Sequence, residues 1–463
     1  MKIYRAFLFF FFETIIVFFC VAAGPFYVDD SGNDVNSGTN ITEPFASIQH
    51  AVDIVSSGLP TITSSTIYIF PGTYLEDVDI TSNKNSSYLS IMALSNIRPI
   101  IDGGGTRSWA FRIMGASNII IRDFIIKKFK YSGIYFDGNS KNNKIINNLV
   151  FSNDVVGGYG GIRLKLDTVD NVLILSNEIW GNGDSGVGCY GIYIDAGDNH
   201  QIYRNLIHDN LDRGIRVRND ATNVRIINNT IFGNGNDGIE MQNTSSGVLY
   251  NNIIESNAGY AVDASSTGLI FGNYNLIYNN TGGGFSSLDL GGNNITNKNP
   301  LLDKANQFRI SEMTSPAIDS GTNIPNVTDI FFGSAPDIGW KEYKVSMFNL
   351  VKSISNIHSP FNGKSVPGAE VIYKISFTNY LSGTNEVIYD QLPSSVMFWS
   401  NYWGTATGWT LEYSTNTSPT NLYNSSSYTH NIVIKSNIKW VRWKKNIVNG
   451  GEAGTFVYSV IIR

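Results

Sequence analysis

Five short segments of this 463-residue chain open with Gly-Ile and then alternate in residue type: GIYFD at 133–137, GIRLK at 161–165, GIYID at 191–195, GIRVR at 214–218 and GIEMQ at 238–242. Successive side chains of an extended strand face opposite ways, so with each Ile turned inward the alternate residues face out. Stacked in register, they form two columns. One holds Tyr135, Arg163, Tyr193, Arg216 and Glu240; the other holds Asp137, Lys165, Asp195, Arg218 and Gln242. Neighbours in such a column lie about 4.8 Å apart, within pairing distance. Cations and phenols at this spacing suit an acidic polysaccharide. Eliminative cleavage of a uronate needs a base for the proton beside the carboxylate and a cation to neutralise that carboxylate. Lys165, Arg216 and Arg218 are the candidate cations, with Tyr193 as proton donor or sugar-stacking surface. Arg163, Tyr135, Asp195 and Glu240 would line the groove.

A lysine acting as base needs a pKa lowered toward about 7–8. Arg163 would lower it, whereas Asp195, between Lys165 and Arg218, would raise it and make Lys165 a carboxylate clamp. The plainer alternative is that alternating charges on an exposed sheet are a solubility device of little energy each. A further column, Phe151, Trp180, His208 and Phe232, reads as a sugar-stacking ladder, with Trp180 and His208 as substrate contacts. Its alternative is a surface covered by a loop or by the C-terminal domain. Asp184, Asp212 and Asp237 precede Gly turns. They are the one oxygen set that would admit Ca²⁺, and no other cofactor is expected.

What must position these residues is a repeat. Asn148, Asn177, Asn205, Asn229, Asn252 and Asn273 recur at gaps of 29, 28, 24, 23 and 21 residues, and Asn153, Asn182, Asn210, Asn234 and Asn257 follow the first five by five positions. A period of roughly 20–30 residues with β-branched segments marks a solenoid in which each repeat is one coil. No helical period intervenes, so the expected fold is all-β: a parallel β-helix, right-handed by the chirality of parallel crossovers. Asn tolerates the left-handed backbone of a sharp corner, and its amide can bond to the equivalent amide one coil away. All eleven are expected to be structural.

An open solenoid end would expose strand edges, so a cap is required. Ile48, Ala51, Val52 and Val55 have helical spacing, and Pro44 suits the helix start. The expected domains are a signal peptide at 1–23, a cap and first coil at 24–89, coils at 90–298, an exit cap and linker at 299–344, and an antiparallel β-sandwich at 345–463. The first segment has Lys2 and Arg5, an apolar run and Ala22-Ala23 before the cleavage point, the pattern of a secretory signal. No other run of 18 apolar residues exists, so no membrane span is expected in the mature chain. Only Cys189 would remain, leaving no internal disulfide. Charged residues make up 15 %, and the net charge of −5 gives no reason to expect nucleic acid as a partner. A monomer is expected.

The opening YVDDSGNDVNSGTNITEPFASIQHAVD, followed by FPGTYLEDVDI, resembles the N-terminal segment of secreted right-handed β-helix proteins of the pectate-lyase-like superfamily. The coils resemble its generic repeat, and NPLLD…SPAIDSG…DIG resembles the exit segment of bacterial surface members. GKSVPGAEVIYKISFTN…DQLPSSVMF resembles an immunoglobulin-like conserved-repeat surface domain. The resemblance implies that Lys or Arg serves both as base and as carboxylate partner in β-helix lyases. NDGIE at 236–240 is similar to the Asp-rich calcium site of one pectate lyase family, but lacks its paired aspartates and a later lysine base. The superfamily holds lyases, hydrolases, epimerases, esterases and adhesins. The expected function is that of a secreted or cell-surface protein engaging an acidic polysaccharide, with lyase or epimerase chemistry. The alternative is a non-catalytic adhesin or structural protein.

Overall fold

The computed structural model describes residues 25–57, 65–81, 88–154, 156, 158–184, 188–265, 270–286, 289–328, 331, 333–343, 348–358, 367, 369–379, 383–392, 394–401, 409–414, 438–448 and 453–462. The expected signal peptide lies outside these residues. The chain divides between Tyr343 and Lys344 into two compact units.

The first unit is a right-handed parallel β-helix with three sheets. Each coil visits them in turn, as in Leu173–Leu175, Glu178–Trp180 and Ile192–Ile194. The first sheet has 11 strands, the second 10 and the third 9. Strands of three residues dominate because each coil needs only one inward apolar side chain or two per sheet. Ile145, Ile174, Ile202 and Ile226 stack in the first sheet, and Ile134, Ile162, Ile192, Ile215 and Ile239 in the third, all with 0 % exposure. Burying each such side chain contributes about 1.5–3 kcal/mol, and the stack runs the length of the unit.

The corners between the first and second sheets carry the asparagine ladder. Asn205 donates from Nδ2 to Asn229 Oδ1 at 3.0 Å and to Ile174 O at 2.9 Å, while its own Oδ1 accepts Asn177 N at 2.9 Å and Asn177 Nδ2 at 3.0 Å. The same pattern joins Asn148 to Asn177 and Asn229 to Asn252. A second ladder, Asn153, Asn182, Asn210, Asn234 and Asn257, stands at the corner after the second sheet and continues to Asn280. Two expectations change here. The sixth rung of the first ladder is Asn275, bonded to Asn252 at 2.9 Å; Asn273 pairs with Tyr250 at the end of a strand. The left-handed backbone belongs to the residue before each rung: Asn147, Ser176, Arg204, Asn228, Asn251 and Tyr274 have φ between 53° and 57°. The rung itself needs ordinary φ so that its side chain turns inward.

The helix Ile48–Ser57 closes the N-terminal end, with Ile48, Ala51, Val52 and Val55 buried. Ser47 caps it, accepting from His50 N at 3.2 Å, and Glu76 takes the amides of Ile48 and Gln49 at 2.9 Å each. Pro44 lies in the preceding loop, not at the helix start. The exit segment is a strap along the side of the solenoid. Asn228 Nδ2 donates to Asp337 O and Gly339 O, Asn251 bonds Thr322, and Phe308 packs on His208 and Phe232.

The second unit is an antiparallel β-sandwich. A four-stranded sheet orders Phe348–His358, Glu370–Asn379, Ala453–Ile462 and Val396–Asn401; a three-stranded sheet orders Gly383–Gln391, Trp440–Val448 and Thr410–Ser414. Phe377, Phe456 and Tyr458 from one share a core with Ile388, Val441 and Trp443 from the other.

Two outcomes follow from these corners. Asn205→Leu leaves several buried backbone and amide groups unpaired and is expected to lower stability by about 2–5 kcal/mol in urea unfolding. His200 fills a corner column that Asn143 fills two coils earlier, accepting from Val172 N and contacting Ala196 O. Burial pushes its pKa down to about 4. Its unfolded pKa is near 6.5, so the unfolded chain binds the extra proton first. Stability is therefore lost as pH falls from about 6.5 toward 4, by roughly 3 kcal/mol, and His200→Asn should remove that slope in pH-dependent unfolding.

Candidate functional site

The Gly-Ile segments form the third sheet in the expected register. Tyr135 pairs with Arg163, Arg163 with Tyr193, Tyr193 with Arg216 and Arg216 with Glu240. Arg112 and Asp79 extend this column at one end and Asp263 at the other. The second column continues one residue past the strands: Lys165 N donates to Phe136 O, Asp195 N to Leu164 O, Arg218 N to Ile194 O and Gln242 N to Val217 O. The glycines are required by close approach. A Cβ at Gly191 would stand 2.7 Å from both Gly214 O and Ile207 Cγ2, and one at Gly214 would meet Gly238 O at 2.7 Å.

The two columns are brought together as a closed network. Asp195 accepts from Arg163 Nη2, Arg218 Nε and Asn219 Nδ2 at 2.8 Å each, and from the Tyr193 hydroxyl at 3.0 Å. Burial acts to raise the Asp195 pKa, but the hydrogen bonds from Arg218 and Arg163 outweigh it and hold the carboxyl below the usual range. The bridge expected between Asp195 and Lys165 does not form; Lys165 stands 3.6 Å from Asp137. A hydrogen bond with Tyr135 raises the Lys165 pKa above that of a free lysine. Lys165 is therefore a cation at neutral pH, paired at 3.6 Å with Asp137.

Tyr193 differs most from expectation. It is 3 % exposed, with the Arg163, Arg218 and Arg216 guanidinium carbons 4.7, 5.3 and 5.8 Å from its ring centre. Burial first, then Asp195, raises its pKa above the ordinary phenol value. It supports the guanidinium layer instead of offering a face to sugar. Glu240, 1 % exposed, is held by Arg213 Nη2 at 2.8 Å and Arg216 Nε at 2.7 Å. Arg216 Nη2 donates to Gln242 at 2.9 Å, and Nη1 to the Tyr190 hydroxyl.

The expected aromatic ladder lies on the second sheet, away from these columns. Phe151 stacks on Trp180 at 4.3 Å and Trp180 on His208 at 5.8 Å. His208 and Phe232 are buried beneath Phe308 of the strap, so His208 offers no sugar contact; Phe151 and Trp180 remain half-buried. The expected acidic set is also regrouped. Asp184 is exposed on its loop, whereas Asp237 lies with Glu240 and Asp263, their ligand atoms within 4.8 Å of one another. Arg213 pairs with Asp212 at 2.9 Å, Asp237 at 3.2 Å and Glu240. Because guanidinium groups already occupy two of the three clustered carboxylates, the set does not fit a Ca²⁺ ion, which takes 6–8 oxygens.

The residues missed from sequence form an aromatic rim beside the third sheet. Trp109 stacks on Tyr135 at 4.9 Å and lies 5.5 Å from Tyr131, which lies 4.8 Å from Tyr159. Trp109, Tyr131 and Tyr159 are half-buried. Arg163 lies over Tyr159 at 4.9 Å and Arg112 over Trp109 at 5.0 Å. A signal was present: a tyrosine stands one or two positions before Gly-Ile in YSGI, YGGI and CYGI. At the far end of the face a polar depression of about 500 Å³ is lined by Asp220, Gln242, Asn243, Thr244 and Ser265.

The comparisons agree on architecture. Residues 160–315 match the model described as a right handed beta helix region, and residues 60–236 match that described as periplasmic copper-binding protein (NosD). Pectate lyase Pel9A is 17 % identical, with a TM-score of 0.53 over 69 % of this chain and 96 % of that one. XylC in complex with xylose is 13 % identical, with a TM-score of 0.41 over 59 % and 70 %. A 90-residue stretch is 32 % identical to human F-box only protein 10; it covers 19 % of this chain and spans 9 % of that protein's length. The two family-model matches and the likeness to Pel9A establish the β-helix fold. Chemistry has to come from the face itself.

The network yields a measurable coupling. A double-mutant cycle of Arg163→Ala and Asp195→Ala is expected to give about 1–2 kcal/mol of interaction energy at pH 7. With the folded Asp195 pKa depressed, this term is present above pH about 4 and disappears as pH falls through the folded value. Absence of coupling at pH 7 would contradict the assignment.

Proposed function

We propose that the protein is an exported carbohydrate-binding β-helix that holds an oligosaccharide along its third sheet without cleaving it there. The observation that carries this reading is the half-buried rim of Trp109, Tyr131 and Tyr159 running beside a sheet face whose donors and acceptors are already oriented. Aromatic faces pack on the apolar C–H faces of sugar rings, and a rim parallel to the solenoid axis can follow an extended chain. The rigid Arg–Asp network supplies hydrogen bonds at little ordering cost, which favours binding.

Cleavage has weaker support on this face. A general base needs a pKa near the working pH. Lys165 and Tyr135 are raised away from it, and Tyr193 is buried beneath guanidinium groups. Glu240 is raised by burial yet locked between Arg213 and Arg216. Export is supported by the basic and apolar N-terminal segment and by the match to a periplasmic family model. No described helix is long and apolar enough to cross a membrane. In this reading the C-terminal β-sandwich, immunoglobulin-like by its resemblance, serves display at a surface.

Glycan-array and calorimetric measurements test the proposal. The intact chain is expected to bind at least one class of oligosaccharide, with Trp109→Ala and Tyr159→Ala each weakening binding about tenfold, close to the energy of one lost aromatic stack. No unsaturated product should accumulate on polygalacturonate or alginate. Accumulation of product, abolished in Lys165→Ala, would establish the lyase reading instead.

A further inference from the structure

Resting on the carbohydrate-binding reading, we infer that the face is built for an uncharged saccharide and discriminates against uronates. Every cation of the two columns and their edge has a carboxylate partner: Arg112 with Asp79 at 4.0 Å, Lys165 with Asp137 at 3.6 Å, Arg163 and Arg218 with Asp195 at 2.8 Å each, Arg213 with Asp212 at 2.9 Å, and Arg216 with Glu240 at 2.7 Å. Six cations thus face seven carboxylates once Asp237 and Asp263 are counted. Adding Lys130, which lies over the Tyr131 ring, makes the balance seven to seven.

Within the two columns a uronate carboxylate meets no cation without a carboxylate partner; Lys130, over the Tyr131 ring, stands outside them. To reach Arg163 or Arg218 it must displace Asp195, which makes four side-chain hydrogen bonds and is 7 % exposed. Breaking such a pair leaves an uncompensated charge, a cost of several kcal/mol. If Asp195 stays, two carboxylates share one guanidinium pair and repel. A polyuronate repeats this at every sugar. The hydroxyls of a neutral sugar suffer no such conflict, since each is both donor and acceptor. They can give to Asp137 and the outer oxygens of the network and take from Arg163, Lys165 and Arg218, while Trp109 and Tyr159 pack on the ring faces. Binding of this kind depends on contact area and hydrogen bonds and only weakly on salt.

The test compares neutral oligosaccharides (xylan, mannan, glucan and galactan fragments) with oligogalacturonate and oligomannuronate on the intact chain, at low and at high NaCl. At least one neutral class is expected to bind at least tenfold more tightly than either uronate, with its Kd changing less than twofold between the two salt concentrations. Asp195→Asn, which frees Arg163 and Arg218 while keeping the shape, should strengthen uronate binding at least tenfold and make it salt-sensitive. Tighter binding of uronates by the unaltered protein, or no gain in Asp195→Asn folded to the same sheet content, would overturn the inference while leaving carbohydrate binding intact. Failure of every glycan to bind, or binding that survives both Trp109→Ala and Tyr159→Ala, would remove the carbohydrate reading and this inference with it.

Discussion

The structure depends on one constraint: a buried side-chain amide must spend all of its hydrogen-bonding capacity. Each rung of the asparagine ladder does so across three coils, donating to a carbonyl behind and an amide ahead and accepting a backbone amide and a side-chain amide from the preceding rung. An unsatisfied amide in the core costs about 1–3 kcal/mol, so a coil cannot slip against its neighbour without breaking several such bonds. The ladder therefore sets the register of every coil, and register decides which residues meet on the third sheet. Arg163 stands beside Tyr193 because Asn153 stands beside Asn182.

The outer face is where that register acquires chemical meaning. Parallel strands about 4.8 Å apart place long side chains within reach of the coils above and below, so a column of mixed charge pairs with itself. Asp195 bridges Arg163 from the preceding coil and Arg218 from the next. Pairing organises the face but also occupies it. The groups that look reactive in one dimension, a lysine, a phenol and three arginines, become a preorganised hydrogen-bonding surface in which each is engaged by a neighbour. Fold likeness to a pectate lyase is compatible with this outcome, because function in a solenoid resides in the outward residues and not in the coil.

The strap shows how a solenoid divides its surfaces. Phe308 covers His208 and Phe232 on the second sheet, Trp340 extends that cover, and Ile324 packs on Tyr203 and Ile227 of the first sheet. Its backbone is satisfied by Asn228 and Asn251, left-handed residues whose side chains face outward. Among the described residues the strap gives the third sheet no such cover, and its aromatic rim stays half-buried. Glu255, next in line to Phe232 on the covered sheet, is pushed by burial up to about 7, with Lys304 of the strap opposing the shift.

Much of this was legible in the residue order. The asparagine spacing and the Gly-Ile segments determined the coil, its three short strands and both outward columns, because the recurring motif leaves one stacking that buries all the isoleucines; the helical spacing of Ile48, Ala51, Val52 and Val55 separately determined the capping helix. The ambiguity at NYN, where the sixth rung is Asn275 and not Asn273, arose because two asparagines there fit the period and only strand length separates them. The sequence could also have pointed to the tyrosines before Gly-Ile. What it could not decide is which partner each charge takes. Lys165 and Asp195 are direct neighbours in one column on paper, yet Asp195 goes to Arg163 and Arg218 and Lys165 to Asp137. That choice is made by side-chain length, burial and competition among six cations at once. Residue order says which groups share a face; only the packed structure says whether any of them is left free to act.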